Sequence, residues 1–216
     1  MQKNIRFTFK IAIQDLNAIF LTMIILGITG LIASGKSFVA DIFAAQNIAV
    51  FNADLIVHEL YKDQDVVKAI YEIAPHSFKN SQLVRSELSN LAFKDVKILE
   101  KLERLIHPLV REKLMEFLQK QEHNKTAITL LDIPLLFAGG LNEICDYVIY
   151  CKSSYQVIEA RYLARTNSTK EKLLAILARQ NKFIKEDLAN FIINTKQQKS
   201  ALEFEVKEII KIVKNA

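Results

Sequence analysis

Residues Gly30-Leu31-Ile32-Ala33-Ser34-Gly35-Lys36-Ser37 spell G-x-x-x-x-G-K-S, the pattern of a phosphate-binding loop. Gly30 and Gly35 let the backbone curl so that successive N–H groups point inward at phosphate oxygens. Lys36 brings a cation within reach of β- and γ-phosphates, and the Ser37 hydroxyl is placed to ligate Mg²⁺. A helix opening at Lys36-Ser37-Phe38 adds the partial positive charge of its N-terminus to the same spot. Other residues of useful type lie further along. Asp132 ends an apolar run, and an apolar strand closed by Asp is the second half of many sites where a carboxylate helps hold Mg²⁺. Asp54 also follows a short apolar run; its purely local alternative is a helix N-cap. His58 lies one helical turn after Asp54 on the same face, and alone it reads as a surface or packing histidine. Arg161 and Arg165 stand at i, i+4, either as a solvated helix face or as cations of a closing lid.

The elements that must position these residues follow from periodicity. Ile24–Thr29 is short, apolar and rich in β-branched residues, which predicts a buried parallel strand leading into the loop. Lys36–Phe43 has helical spacing. Ile48–Phe51 predicts a second strand, with a helix after Asn52-Ala53-Asp54. Asp65–Ala74 and Ser86–Phe93 read as helices, joined by a polar stretch around Pro75 and Asn80. Asp95–Ile106 is amphipathic through Val96, Leu99, Leu102 and Ile106, and is expected to stop at His107-Pro108, because the residue before proline is pushed out of helical geometry. Leu109–Gln121 then forms a separate helix. Ala127–Leu131 and Asp146–Cys151 predict strands, with a flexible Gly139-Gly140 turn between them. Helices Tyr155–Arg165 and Lys170–Gln180 flank the polar tip Thr166–Thr169, giving a lid over about residues 161–172. A last strand, Phe191–Ile193, precedes the amphipathic helix Leu202–Val213. The βα alternation predicts an α/β fold with a parallel sheet, helices on both faces, and chemistry at the carboxyl ends of the strands.

Composition narrows the class. The 216 residues suit one domain carrying a lid or small insert, and half of them are apolar. Cys145 and Cys151 are too few for a disulfide framework and read as buried thiols of a reduced, cytoplasmic protein. The net charge of +5 is modest and spread along the chain, and no Lys/Arg block interleaves with aromatics, so an anionic small molecule is expected rather than nucleic acid. Leu16–Gly35 contains no charged residue, and Ala18–Ala33 resembles a membrane span by hydropathy. Its second half is accounted for by the strand and loop, so no membrane partner is expected. Residues 1–22 lack a cleavage site of signal-peptide type and are read as an extension, with Met23 the working start.

Taken together, these residues resemble the dephospho-CoA kinases. The likeness is carried by Ile28-Thr29-Gly30 with Ser34-Gly35-Lys36-Ser37, by Asn52-Ala53-Asp54 with His58, and by Arg85 with Leu88 and Phe93. It continues through Ile106-His107-Pro108, Asp132-Ile133-Pro134-Leu135-Leu136-Phe137 with Gly140-Leu141, Arg161 with Arg165, and Ile176–Gln180. The His-Pro after a leucine-rich helix, followed by Pro-Leu-Leu-Phe, is the narrowest of these signals. The resemblance implies a phosphate-loop NTPase fold of nucleoside-monophosphate-kinase type, with a helical acceptor-binding region over about residues 55–122 and a lid. It implies transfer of the γ-phosphoryl group of ATP, with Mg²⁺, to the ribose 3′-hydroxyl of dephospho-CoA by a monomer or weak homo-oligomer.

The same resemblance assigns roles. Lys36 and the amides of Gly30–Phe38 hold the nucleotide phosphates, and Ser37 and Asp132 hold the metal. Asp54 is the general base, Arg161 and Arg165 close over the triphosphate, and His58, Arg85 and His107 surround the acceptor. The chain departs from the family pattern at Asn52, where Asp is usual, at Ala138, where Glu is usual, and at Ala33, where glycine is usual. Ala33 fits if its φ is negative. The end of the last strand, Ala189-Asn190-Phe191-Ile192-Ile193-Asn194-Thr195, also differs from the family's Ala-Asp-x-Val-Ile-x-Asn. The rival readings are another small-molecule kinase on this scaffold and an inactive nucleotide-binding relative. A guanine-nucleotide switch is excluded because Asn124-Lys125-Thr126-Ala127 lacks the Asp of the guanine signature.

Overall fold

A computed structural model describes residues 23–138, 140–166 and 168–216. The expectations for residues 1–22, and those for Gly139 and Asn167, lie outside the described residues. In chain order the elements are β1 (Ile24–Thr29), α1 (Lys36–Ala45), β2 (Ala49–Asn52), α2 (Ala53–Leu60), α3 (Gln64–Ile73), β3 (Phe78–Lys79), β4 (Gln82–Leu83) and α4 (Arg85–Lys94). They continue with α5 (Val96–His123), β5 (Ile128–Asp132), β6 (Tyr147–Lys152), α6 (Tyr155–Leu163), α7 (Lys170–Gln180), β7 (Phe191–Asn194) and α8 (Lys199–Lys214). Two compact units result: residues 23–51 with Gln119–Ala216, and residues Asn52–Leu118.

The first unit is built on a five-stranded sheet of order β2-β5-β1-β6-β7. The β1–β5, β1–β6 and β6–β7 pairings are parallel, as expected. Successive residues of a strand point to opposite faces. Ile25 and Leu26 are both at most 3 % exposed, so β1 is covered on both sides, which is why its sequence is continuously apolar rather than alternating. Val39 and Phe43 of α1, and Leu202, Val206, Ile209 and Val213 of α8, pack against Leu26, Ile28, Leu130 and Ile149. The 4-3-4 spacing of the α8 residues is one helical stripe. Each fully buried Leu or Ile of this set contributes about 1.5–3 kcal/mol. Gly27 is needed for close packing, since a Cβ there would lie 2.7 Å from Leu136 Cδ2 and 2.8 Å from Cys145 Sγ.

The second unit packs Leu60, Val66, Ile70, Ala74, Leu88, Leu102 and Ile106 into a core of its own. One expectation is corrected here and two readings are sharpened. The break at His107-Pro108 is absent: α5 runs unbroken over 28 residues with Pro108 inside it. Pro108 removes the N–H that would bond the Arg104 carbonyl. The apolar stripe nonetheless stays in phase across it, with Leu102, Leu105, Ile106, Leu109 and Val110 all against the same core, and that packing outweighs the local preference. Second, Asp54 is not the N-cap of α2. Asn52 is, its side chain accepting from the Leu55 N–H at 2.9 Å. Asp54 instead stands in the first turn, where the helix dipole favours a carboxylate. Third, the polar stretch around Asn80 is a hairpin, β3 pairing antiparallel with β4. Asn80 and Ser81 have φ of +48° and +61°, the left-handed pair that a tight two-residue turn requires. Among the described residues no helix is long and apolar enough to cross a membrane.

Candidate phosphate-binding site

The strand-loop-helix order around Gly30–Ser37 is as the sequence predicts. Gly30 has φ +149°, and a Cβ there would sit 2.5 Å from the Cys151 carbonyl oxygen. Gly35 caps α1 at φ +97° with no side-chain hydrogen bond to the first-turn N–H groups, which leaves that helix end without a side-chain acceptor of its own. Ala33 departs from expectation: its φ is +56°, not negative. Left-handed backbone costs a residue with a Cβ about 1–2 kcal/mol. The Ala33 methyl recovers part of that by burial against Ile158, Tyr162, Leu173 and Leu177 of α6 and α7. Lys36 is 9 % exposed and folds back, its Nζ donating to the Gly30 and Leu31 carbonyls at 3.2 and 3.4 Å. Ser37 and Phe38 are exposed.

A cavity of about 420 Å³ opens over this loop, lined by Ala33, residues 35–38, Arg161, Arg165 and Thr195. The two arginines therefore reach the loop, but their states differ. Arg161 is held: Nη1 donates to Thr195 Oγ1 at 3.0 Å and to the Ser34 carbonyl at 3.3 Å, and Nη2 donates to the Thr195 carbonyl at 2.7 Å. Arg165 lies just past the end of α6, rather than on it as expected, and is exposed. Its guanidinium has no ion pair or hydrogen bond among the described residues.

Asp132 pairs in register with Ile28 and is 4 % exposed, which puts its carboxylate at the carboxyl edge of the sheet beside the strand that feeds the loop. Asp132 is engaged by other groups, yet its buried Oδ1 accepts no hydrogen bond. Cys151 lies close to both charges. Burial pushes its thiol up to about 12, with the Lys36 cation opposing the rise and the Asp132 carboxylate adding to it, so the thiol is inert. Burial also pushes the Cys145 thiol up, and its Sγ donates to the Leu141 carbonyl at 3.4 Å. Among the described residues no cluster of three or more His, Cys, Asp and Glu could cage a metal ion. Mg²⁺ needs no such cage: it keeps water and substrate phosphate oxygens and takes one or two protein oxygens. A buried carboxylate and an exposed hydroxyl on the loop fit that demand.

The acceptor candidates belong to the second unit. Asp54 and His58 stand in the first and last turns of α2, both exposed. Arg85 opens α4, also exposed, and its charge pulls down a Tyr61 phenol that burial pushes up by a larger amount. His107 is exposed on α5. The structure thus gathers Lys36, Ser37, Asp132, Arg161 and Arg165 in one unit and Asp54, His58, Arg85 and His107 in the other. Two residues of the first site carry no role in the sequence reading: Thr195, which follows the last strand, and Gln180, whose Oε1 accepts the Ile32 N–H at 2.8 Å. The rule that chemistry gathers at strand carboxyl ends would have found Thr195. Gln180 closes the Ile176–Gln180 stretch that carries the family likeness, but its role is not legible locally, because its partner is 148 positions away.

The dephospho-CoA kinase family model matches residues 24–200 of this chain. A dephospho-CoA kinase of Rhodopseudomonas palustris is 34 % identical over 189 residues, covering 87 % of this chain and 94 % of its own length. One from Bartonella quintana is 36 % identical over 194 residues, covering 89 % and 98 %. Among solved structures, a protein from Thermus thermophilus superposes with a TM-score of 0.74 at 26 % identity, covering 90 % of this chain and 98 % of that one. A dephospho-CoA kinase from Campylobacter jejuni has the same fold, with a TM-score of 0.62 at 23 % identity, covering 88 % and 96 %.

Proposed function

The chain belongs to the dephospho-CoA kinase family, and from that premise we propose that it transfers the γ-phosphoryl group of ATP to the ribose 3′-hydroxyl of dephospho-CoA. The observation that carries this reading is the cavity in which phosphate loop, helix N-terminus and two arginines converge. Phosphoryl transfer needs little covalent help from a protein; positioning and charge stabilisation supply most of the acceleration. The loop amides other than those of Ile32 and Ser34, which are bonded within the protein, join Lys36 in holding the β- and γ-phosphates, Lys36 exchanging two carbonyl partners for phosphate oxygens. Arg165 adds an exposed cation, and Arg161 one held by hydrogen bonds to Ser34 and Thr195. Ser37 and Asp132 are the residues that would hold Mg²⁺, which when bound neutralises phosphate charge. Asp54 accepts the proton of the 3′-hydroxyl as its oxygen bonds to the γ-phosphorus. The bond from that phosphorus to the β–γ bridging oxygen breaks, and ADP leaves. His58, Arg85 and His107 offer one cationic and two imidazole donors for the acceptor's phosphates and ribose.

The test is a coupled assay with ATP and Mg²⁺ that offers dephospho-CoA, nucleoside monophosphates and sugar acids in turn. The expected outcome is one ADP per coenzyme A formed, with dephospho-CoA preferred by orders of magnitude in kcat/KM. Preference for another acceptor makes the chain a different small-molecule kinase. ATP binding with no turnover on any acceptor makes it an inactive relative.

A further inference from the structure

Ala33 is the one residue of the loop with a side chain and a positive φ, at +56°. Its neighbours on either side are both tied down by groups from distant elements. On one side the Ile32 N–H is taken by Gln180 Oε1 at 2.8 Å, from the end of α7, and Gln180 is 8 % exposed. On the other the Ser34 carbonyl accepts the Thr195 hydroxyl proton, and Thr195 is 3 % exposed. That hydroxyl has one proton, so with Ser34 as acceptor its lone pairs take the Arg161 Nη1–H at 3.0 Å. The Thr195 N–H is anchored in turn to the Lys152 carbonyl at 2.9 Å, which fixes the hydroxyl to the sheet edge. The Ile32 N–H is therefore engaged inside the protein rather than offered to a ligand.

We propose that Gln180 and Thr195 are positioning residues for phosphoryl transfer. Together they clamp the phosphate loop on both flanks of Ala33 and hold its left-handed turn without a glycine, and Thr195 also docks Arg161 against the loop. A nest of inward N–H groups needs alternating backbone hand, and here the second hand is imposed from outside the loop. The proposal rests on the donor-site reading above. It separates two roles. Gln180 acts on the loop alone and so on nucleotide affinity. Thr195 acts on the loop and on Arg161, and so on affinity and turnover together.

Calorimetric titration with Mg·ATP and steady-state kinetics on the full chain test this. Gln180→Met, which keeps length and loses the acceptor, is expected to weaken ATP binding about tenfold while kcat stays within threefold. Thr195→Val, isosteric without the hydroxyl, is expected to weaken ATP binding similarly and also to lower kcat at least tenfold. Thr195→Ser, which restores the hydroxyl, returns both to within threefold of wild type. KM for dephospho-CoA stays unchanged in all three. A merely structural role would lower the thermal midpoint and the active fraction but leave the affinity of the folded fraction intact. Wild-type ATP affinity in both Gln180→Met and Thr195→Val overturns the clamp, as does a Thr195→Ser variant as impaired as Thr195→Val. If the unmodified protein itself binds no ATP, the donor-site reading falls, and the clamp with it.

Discussion

Lys36, Asp132, Gln180 and Thr195 in the first unit are each less than a tenth exposed, whereas Asp54, His58, Arg85 and His107 in the second are all exposed. The groups assigned to the donor side bond to the loop backbone: Lys36 to the Gly30 and Leu31 carbonyls, Thr195 and Arg161 to the Ser34 carbonyl, and Gln180 to the Ile32 N–H. The acceptor-side groups differ. Neither a hydrogen bond nor an ion pair engages the side chains of Asp54, His58 or Arg85 among the described residues. A triphosphate brings several charges, and stabilising them calls for dipoles fixed before it arrives. Fixing dipoles in turn means burying them with partners. An acceptor that carries its own phosphates and ribose can complete the bonds of exposed residues instead. The lesson is about mutational sensitivity: donor-side changes should disturb structure and activity together, and acceptor-side changes activity alone.

The sharpest way to break this contrast is Lys36→Ala. It removes the buried cation and is expected to lower kcat/KM about 10³-fold, with a measurable loss of ATP affinity in calorimetry. A loss below tenfold would show that the arginines carry the charge by themselves. Asp54→Asn is the matching acceptor-side change. It is expected to lower kcat by about 10²-fold or more while ATP affinity stays at the wild-type value and stability falls by no more than about 1 kcal/mol, the loss of the carboxylate's interaction with the helix dipole. Normal turnover in that variant refutes the base assignment. Pro108→Ala probes stability within the second unit, since it restores the N–H that an interior helix position lacks. The expected gain is about 1–3 kcal/mol, read as a higher thermal midpoint. No gain would mean that α5 is already relaxed around the missing hydrogen bond. Ala33→Gly is the smallest effect. Relief of left-handed strain favours glycine, whereas greater unfolded-chain freedom and the lost buried methyl oppose it, so stability is expected within about 1 kcal/mol of wild type. A larger loss would mean that the methyl, not the clamp, holds the loop.

Much of this site was legible because its determinants are local. A buried strand, glycines where the backbone must turn, and a helix opening on Lys-Ser occupy consecutive residues, so the strand-loop-helix order of Ile24–Ala45 is legible without tertiary information, while the backbone hand of Ala33 is not. The carboxylate closing β5 was equally visible, because a strand's end is marked by its own composition. Local rules failed where two of them competed. Asn52 and Asp54 both suit an N-cap, and the folded chain gives the role to Asn52, whose backbone is extended and whose side chain accepts the Leu55 N–H. Pro108 argues for a break and the stripe around it for continuity; the core of the second unit decides for continuity.

By itself, then, the sequence determined the phosphate loop, the order of strands and helices, and the set of chemically able residues, since each rests on side-chain type and on spacing within a few turns. The tertiary structure alone decided which backbone hand Ala33 takes, that Arg161 is held while Arg165 is exposed, and that Thr195 and Gln180 grip the loop. Those outcomes depend on hydrogen bonds spanning 34 to 161 positions. No local pattern encodes such bonds, because their geometry exists only once the sheet has set its strand ends side by side.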